Sequence, residues 1–314
     1  MNPDRLVIFG EVLFDHFPGG ETVLGGAPFN VAWHLQALGH QPLFISRVGD
    51  DLPAETVRSA MQSWGMDTTG LQTDKDRPTG QVKVTFNQGE PAYDIVYPAA
   101  FDRVSSVEFP AAVSPSREAA SDQRQDSSIE LLYHGTLALR HDVSKAAANS
   151  LHQRSPERTF IDVNLRSPWW ERQQVLRWVG RAQWVKLNSA ELEFLADSGR
   201  DAAGRFLHEH QLQGLIVTHG EKGATLHTSA DEIFHTRPDT SASIVDTVGA
   251  GDAFSAVMIH GLMHDWPPQL ALDRAQGFAS AICQQRGATV GQRAFYTDFL
   301  DAWGSDNMNS CGSN

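Results

Sequence analysis

Basic residues are in short supply: 25 Lys plus Arg stand against 38 Asp plus Glu, a formal net charge of −13 over 314 residues. That deficit leaves no long-range attraction for nucleic acid or an anionic membrane surface, so neither is expected as a partner, and any bound anion must be held locally. Cysteine is scarce as well. Cys283, in a helical pattern, and Cys311, near the C-terminus, offer neither a disulfide framework nor a metal-ligand spacing. Uninterrupted apolar runs of the ~18 residues that a membrane span requires are missing, and Met1-Asn2-Pro3-Asp4-Arg5 lacks the basic and apolar regions of an export signal. A cytoplasmic globular enzyme is the expectation. The thirteen histidines read as scattered core and surface residues, with no metal-binding cluster expected among them. Two nucleotide motifs are also absent. No Gly-x-x-x-x-Gly-Lys-Ser/Thr run occurs, and Gly10-Glu11-Val12 stands where a dinucleotide fingerprint would follow the first strand, which argues against a Walker-type NTPase and a dehydrogenase.

What is present alternates. Leu6–Phe9, Leu43–Ile45, Leu131–Tyr133, Phe160–Val163, Trp184–Leu187 and Leu215–Thr218 are short apolar runs without period-two alternation, the pattern of strands covered on both faces. Helix-period segments lie between several of them. Pro28–Leu38 stops at Gly39, a second helix opens at Asp51-Leu52-Pro53 and ends at Gly65, and Asn188-Ser189-Ala190-Glu191 reads as a capping box. The expected fold is a doubly wound α/β sheet, in a chain long enough for one large α/β domain or two small ones. Two stretches depart from the pattern. Gly80–Pro98 alternates in both arms around Asn87-Gln88-Gly89-Glu90, a β-hairpin, and Phe17–Gly26 is extended and glycine-punctuated. Together they suggest a small sheet, from about 12–26 and 79–100, that is either a lid over a pocket or an edge decoration. Residues 105–128 are expected to be a flexible insertion, and residues 304–314 a disordered tail.

The chemistry concentrates at Asp246-Thr247-Val248-Gly249-Ala250-Gly251-Asp252-Ala253-Phe254, ahead of an apolar helical run. Glycines at a helix start leave backbone N–H groups uncovered at the positive end of the helix dipole, an anion hole that needs no net basic charge. Asp252 falls in the first turn, where the dipole stabilises a carboxylate and its pKa is not expected to rise. An ordinary tight turn before a helix explains the glycines equally well at this level.

The whole string resembles the second signature of the ribokinase-like (PfkB) carbohydrate kinase family. Gly25-Gly26-Ala27-Pro28-Phe29-Asn30-Val31-Ala32, Leu38-Gly39 and Val48-Gly49-Asp50-Asp51 resemble its first. The resemblance implies a three-layer α/β/α sandwich with a mostly parallel central sheet and a small β-sheet lid, in one domain over residues 1–303. It also implies transfer of the ATP γ-phosphoryl group to a sugar hydroxymethyl oxygen, with Asp252 as base and the Gly249, Ala250 and Gly251 backbone as anion hole. Glu11, Asp15, Gly25, Gly26 and Asn30 would contact the sugar. Arg166, in an Asp162-x-Asn164-x-Arg166 segment followed by a tryptophan, Trp169 or Trp170, would face the sugar or the transferring phosphoryl group. Asn188, Thr218, Gly220, Lys222 and Gly223 would contact nucleotide, and Glu191 would organise Mg2+ through water. Carbonyls around Asp246 and Val248, with Gln285-Arg286-Gly287-Ala288, would hold K+. Gly-Glu and Asp-x-Asn-x-Arg look fructokinase-like, so fructose is the first substrate expected; ribose, 2-keto-3-deoxygluconate, a nucleoside, or a non-catalytic sugar-binding regulator are the alternatives. Monomer and homodimer are both open.

Overall fold

The computed structural model describes residues 6–87, 90–106, 129–154, 158–197, 199, 201–238 and 244–310. Its first strand, β1 (Leu6–Phe9), is flanked in parallel by β4 (Leu43–Val48) and β8 (Leu131–His134). Outward from β4 lies β5 (Leu71–Thr73); outward from β8 lie β9 (Thr159–Asp162), β10 (Trp184–Asn188) and β11 (Gly214–Thr218), all parallel. Two antiparallel strands, β12 (Ala224–Thr228) and β13 (Ile233–Thr236), close that edge of the nine-stranded sheet. Inner strands are apolar at successive positions because both faces are covered. Leu6 and Ile8 enter one core and Val7 and Phe9 the other, each at most 2% exposed. Fully burying one such side chain contributes roughly 1.5–3 kcal/mol, so each face can hold its own helix layer.

One layer contains α1 (Ala27–Ala37), α2 (Leu52–Trp64), α7 (Ala250–Met263), α8 (Pro268–Ile282) and α9 (Arg293–Ser310). The other contains α3 (Asp142–His152), α4 (Arg172–Val179), α5 (Ser189–Leu195) and α6 (Ala202–Glu209). Start and stop signals act as their chemistry requires. The Asp51 side chain accepts the Ala54 N–H and Gly65 ends α2 in the left-handed region, while Asn188 and Glu191 form a reciprocal capping box on α5. Helix α7 is apolar all round, with every residue from Ala253 to Gly261 buried, so it lies inside the layer rather than on it. None of the helices among the described residues is long and apolar enough to cross a membrane.

The expected small sheet is a separate four-stranded unit, ordered β3-β2-β6-β7. It joins β2 (Leu13–His16) and β3 (Thr22–Gly25) to β6 (Gly80–Asn87) and β7 (Glu90–Ile95). The register sets Val82 against Ile95 and Val84 against Tyr93, so one face collects apolar side chains. A buried ion pair anchors its base: Arg140 meets Asp102 at 2.6 Å, donates to the Val96 carbonyl and lies 4.4 Å from the Trp169 ring centroid.

Two expectations change. Helix α9 continues to Ser310, so residues 304–310, expected in a disordered tail, are helical, and 311–314 lie outside the described residues. Most of the expected insertion, 107–128, also lies outside them, as do Gln88 and Gly89 of the hairpin turn and Cys311. Ser105, where the insertion was expected to begin, is tied down by hydrogen bonds with Gln72 and Arg47.

Candidate active site

A cleft of about 880 Å³ opens between the carboxyl ends of the parallel strands, the start of α7 and the apolar face of the small sheet. Open α/β sheets offer ligands this place because strand ends and helix N-termini converge there. Glu11, Asp15, Gly26, Asn30, Arg166, Asp246, Val248, Gly249, Gly251 and Asp252 all line it. Phe17, Val23, Val82, Tyr93 and Ile95 supply an apolar wall from the small sheet.

The floor is built by two helix starts. Gly26 caps α1 with φ 111°, and a Cβ there would sit 2.7 Å from the Glu11 carbonyl oxygen, so the helix presses its first turn against the end of β1. Gly249 does the same for α7. Its φ is 80°, and a Cβ would fall 2.4 Å from Ala288. The Asp246 carboxylate accepts the Val248 and Gly287 N–H groups, and Val245 and Asp246 donate to the Cys283 carbonyl. The Asp246–Gly251 loop is therefore clamped onto residues 283–288. Across the floor, Asn30 donates from Nδ2 to Asp252 Oδ2 at 2.7 Å, joining the first turns of α1 and α7.

Electrostatics reverse the expectation for Asp252. Removal from water raises its pKa to about 7; the Asn30 hydrogen bond pulls it down, Asp162 pushes it up, and Lys186 and Arg166 pull it down. The helix dipole is worth about 1 kcal/mol at such a site and does not offset that desolvation. Glu11 behaves alike. Burial raises it to about 7 against the pull of its own backbone N–H and of Arg166, with Asp252 pushing it further up, and Oε2 is buried without a hydrogen-bond partner. Burial also raises Asp15, and Arg166 again opposes the shift. Arg166 is thus the shared cation of three carboxylates.

Two residues beneath the Gly249–Gly251 loop were missed in the sequence. Lys186 Nζ lies 2.6 Å from Asp162 Oδ2, both side chains are buried, and a Cβ on Gly251 would stand 3.5 Å from that ammonium. Ser255 adds a 2.9 Å hydrogen bond to the same carboxylate oxygen. Parallel β9 and β10 pair Lys186 with Asp162, so the register makes the ion pair. Lysine in mid-strand was the available signal, since an unpaired charge there costs several kcal/mol.

Six of the expected nucleotide and metal residues stand elsewhere. Asn188, Glu191, Thr218, Gly220, Lys222 and Gly223 do not line the cleft. They lie where β10 and β11 end; Asn188, Gly220 and Lys222 are exposed. Glu191 uses Oε1 to accept the Leu165 N–H at 2.6 Å and Oε2 to accept that of Asn188 at 2.8 Å. Gly25 and Ala250 flank the cleft without lining it. The histidine expectation is corrected outright. His260, in the last turn of α7, and His264, its C-cap, are four residues apart, a spacing present in the sequence, and the fold brings His40 to them.

A model of the pfkB family of carbohydrate kinases matches residues 9–294. The chain belongs to that family. This kinase is 28% identical over 306 residues to the fructokinase of Vibrio alginolyticus, covering 91% of this chain and 94% of that one. Its backbone superposes on fructokinase with bound ATP from Xylella fastidiosa with a TM-score of 0.80 at 19% identity, covering 96% and 99% of the two chains. A double-mutant fructokinase of Vibrio cholerae O395, solved with fructose, ADP and potassium ion, gives 0.74 at 24% identity, covering 95% and 98%. This chain is an ATP-dependent sugar kinase of the ribokinase fold, and the cleft is where its carboxylates, the Gly249–Gly251 loop and the small sheet converge.

Proposed function

We propose that the kinase transfers the γ-phosphoryl group of ATP to a hydroxymethyl oxygen of fructose, with Asp252 as the base. The contact between Asn30 and Asp252 carries the reading. It fixes the carboxylate beside the Gly249–Gly251 loop and leaves the other oxygen toward the cleft, where a hydroxyl can reach it. Glu11 and Asp15 are hydrogen-bond acceptors for the remaining hydroxyls, and the apolar wall suits the C–H face of a sugar ring. N–H groups at the start of α7, with Lys186 below them and Arg166 opposite, oppose the charge on the transferring oxygens. Closure of the small sheet would exclude water, which otherwise competes as acceptor. ATP use fits the cytoplasmic placement expected from the sequence.

Asn188, Thr218, Gly220, Lys222 and Gly223 would extend the phosphate path to the rest of the nucleotide. Ile244 and Val245, more than 60% exposed ahead of the anion loop, give apolar surface for a base. Magnesium, when bound, screens the phosphate oxygens. The residues present fit it through water, because both Glu191 oxygens already accept backbone N–H groups and Asp162 is paired with Lys186. Potassium fits the clamped loop, where the Val245 and Asp246 backbone meets the Cys283 carbonyl and the Asp246 carboxylate ties Val248 to Gly287. The deciding experiment is ADP release from Mg-ATP with a sugar panel, with and without added K+ in tetramethylammonium buffer. Fructose should give the highest kcat/KM. A preference for ribose, 2-keto-3-deoxygluconate or a nucleoside would replace the substrate. Tight sugar binding without turnover would favour a regulator.

A further inference from the structure

Helix α7 carries chemistry at both ends. Asp252 lies in its first turn; His260 and His264 close its last, about 12 and 18 Å further along the axis at 1.5 Å per residue. Helix α1 is built the same way, with Asn30 in its first turn and His40 just past its end. His40 is held there by backbone geometry: the Gly39 N–H donates to Gln36 and the His40 N–H to Leu35, the paired bonds of a Schellman motif. Its Nε2 then lies 2.9 Å from His260 Nδ1. His264, one turn beyond His260, stacks on it with ring centroids 4.2 Å apart. One ring nitrogen from each of the three lies within 4.8 Å of the other two.

We propose that His40, His260 and His264 form a binding site for a first-row transition-metal ion of the zinc class, remote from the phosphoryl-transfer cleft. Three imidazoles on two rigid elements are the ligand set such ions favour, and hard cations such as Mg2+ are not held by nitrogen alone. Bonds of 2.0–2.1 Å in tetrahedral array require ligand nitrogens about 3.3 Å apart. The observed 2.9 Å contact must therefore open, and the wider ones close, by side-chain rotation. Support from behind is present: His264 Nδ1 lies 2.8 Å from the His260 carbonyl oxygen. As a donor to that carbonyl it leaves Nε2 with its lone pair for a metal, the usual arrangement behind a ligating histidine. His264 is exposed, so one side of the site is open to entering metal and to water as a fourth ligand. The Arg274 guanidinium, 4.2 Å from the centroid of the Trp266 ring that packs on His260, opposes any cation held here, so the imidazole–metal bonds must supply the affinity. A metal here joins the far ends of the two helices whose near ends are joined by Asn30 and Asp252.

Untagged full-length protein titrated with Co2+ should develop the visible ligand-field bands of a nitrogen-ligated tetrahedral or five-coordinate ion, saturating at one equivalent. Zn2+ should displace it and raise Tm on the order of 5 °C at a hundredfold excess over Kd. His264→Ala removes an exposed side chain, so the fold and sugar-dependent ATP turnover should persist while Co2+ affinity falls at least tenfold. His40→Gln should do the same to the metal. If His40→Gln does not fold, His264→Ala decides by itself. Absence of a stoichiometric Co2+ spectrum, or an unchanged spectrum in His264→Ala, overturns the site.

Discussion

The two stretches of the proposed substrate path are made by opposite means. At the sugar end, charged groups are taken out of water and held by packed elements: Glu11, Asn30, Asp162 and Lys186 are each no more than 6% exposed. At the nucleotide end, exposed Asn188 caps α5 at the end of β10, and exposed Gly220 and Lys222 sit on the turn between β11 and β12, where the main sheet changes from parallel to antiparallel. Glycines are fixed by packing at both ends: a Cβ on Gly249 would fall 2.4 Å from Ala288 and one on Gly223 2.0 Å from the Thr236 carbonyl oxygen. The contrast lies in the functional side chains, which are dry at one end and in water at the other. Perturbations at the sugar end should be large and pH-dependent; those at the nucleotide end should be small and screened.

Asp252→Asn tests the sugar end at its strongest. The substitution keeps the shape and a hydrogen-bonding partner for Asn30 but removes the proton acceptor. Turnover should fall about 10³–10⁴-fold while sugar and ATP still bind in calorimetry. In the parent, a base with pKa raised to about 7 is protonated below that value, so kcat/KM should fall about tenfold per unit as pH drops beneath it. A flat profile from pH 5 to 8, or near-parental kcat in the Asn variant, would remove Asp252 from the base role.

Lys186→Met should be next in size. It leaves Asp162 as a buried carboxylate that keeps Ser255 but loses its cation. Breaking one side of a buried pair costs about 3–5 kcal/mol, read as a drop in urea midpoint at constant m. The double variant Lys186→Met with Asp162→Leu should recover much of that stability without recovering activity. Equal loss in the single and double variants would mean that the pair does not act as a unit.

How far this was legible in the sequence follows from range. Six inner strands, the limits of α2 and the Asn188–Glu191 capping box depend on a few neighbouring residues, and each was readable. Short β5, three residues long, carries too little pattern to find. Non-local facts were not readable at all. Nothing near Lys186 indicates that strand register sets it beside Asp162, and nothing near Asp252 indicates how dry its surroundings are. Helix signals argued against a raised pKa, and burial prevailed because it comes from the whole fold. The histidines were a different failure: His260 and His264 show helical spacing in the sequence, but their partner His40 is 220 residues away.

Glu11→Gln separates burial from catalysis. The parent's carboxyl has its folded pKa raised from 4.5 to about 7, so the folded state binds a proton the unfolded chain releases. Its stabilising share is complete below about pH 4.5 and is lost as pH rises through 7. A neutral glutamine has no such loss. Urea unfolding should therefore show the variant more stable than the parent at pH 8, by at most about 3 kcal/mol, with the difference vanishing near pH 4. A gain that does not depend on pH would show that packing, not ionisation, is responsible.

Lys222→Ala should produce the smallest change, and its size is the test of the contrast. Lys222 is exposed in the turn Gly220–Lys222. An ammonium in water that meets a phosphate gains about 1 kcal/mol or less. KM for ATP should then rise less than tenfold, with kcat and Tm unchanged, and the rise should shrink between 50 and 500 mM salt because exposed charges are screened. A loss in kcat beyond tenfold would bring Lys222 to the transferring phosphoryl group. It would mean that the nucleotide end closes over ATP into a site as dry as the cleft, and the division between the two stretches would then describe only the ligand-free protein.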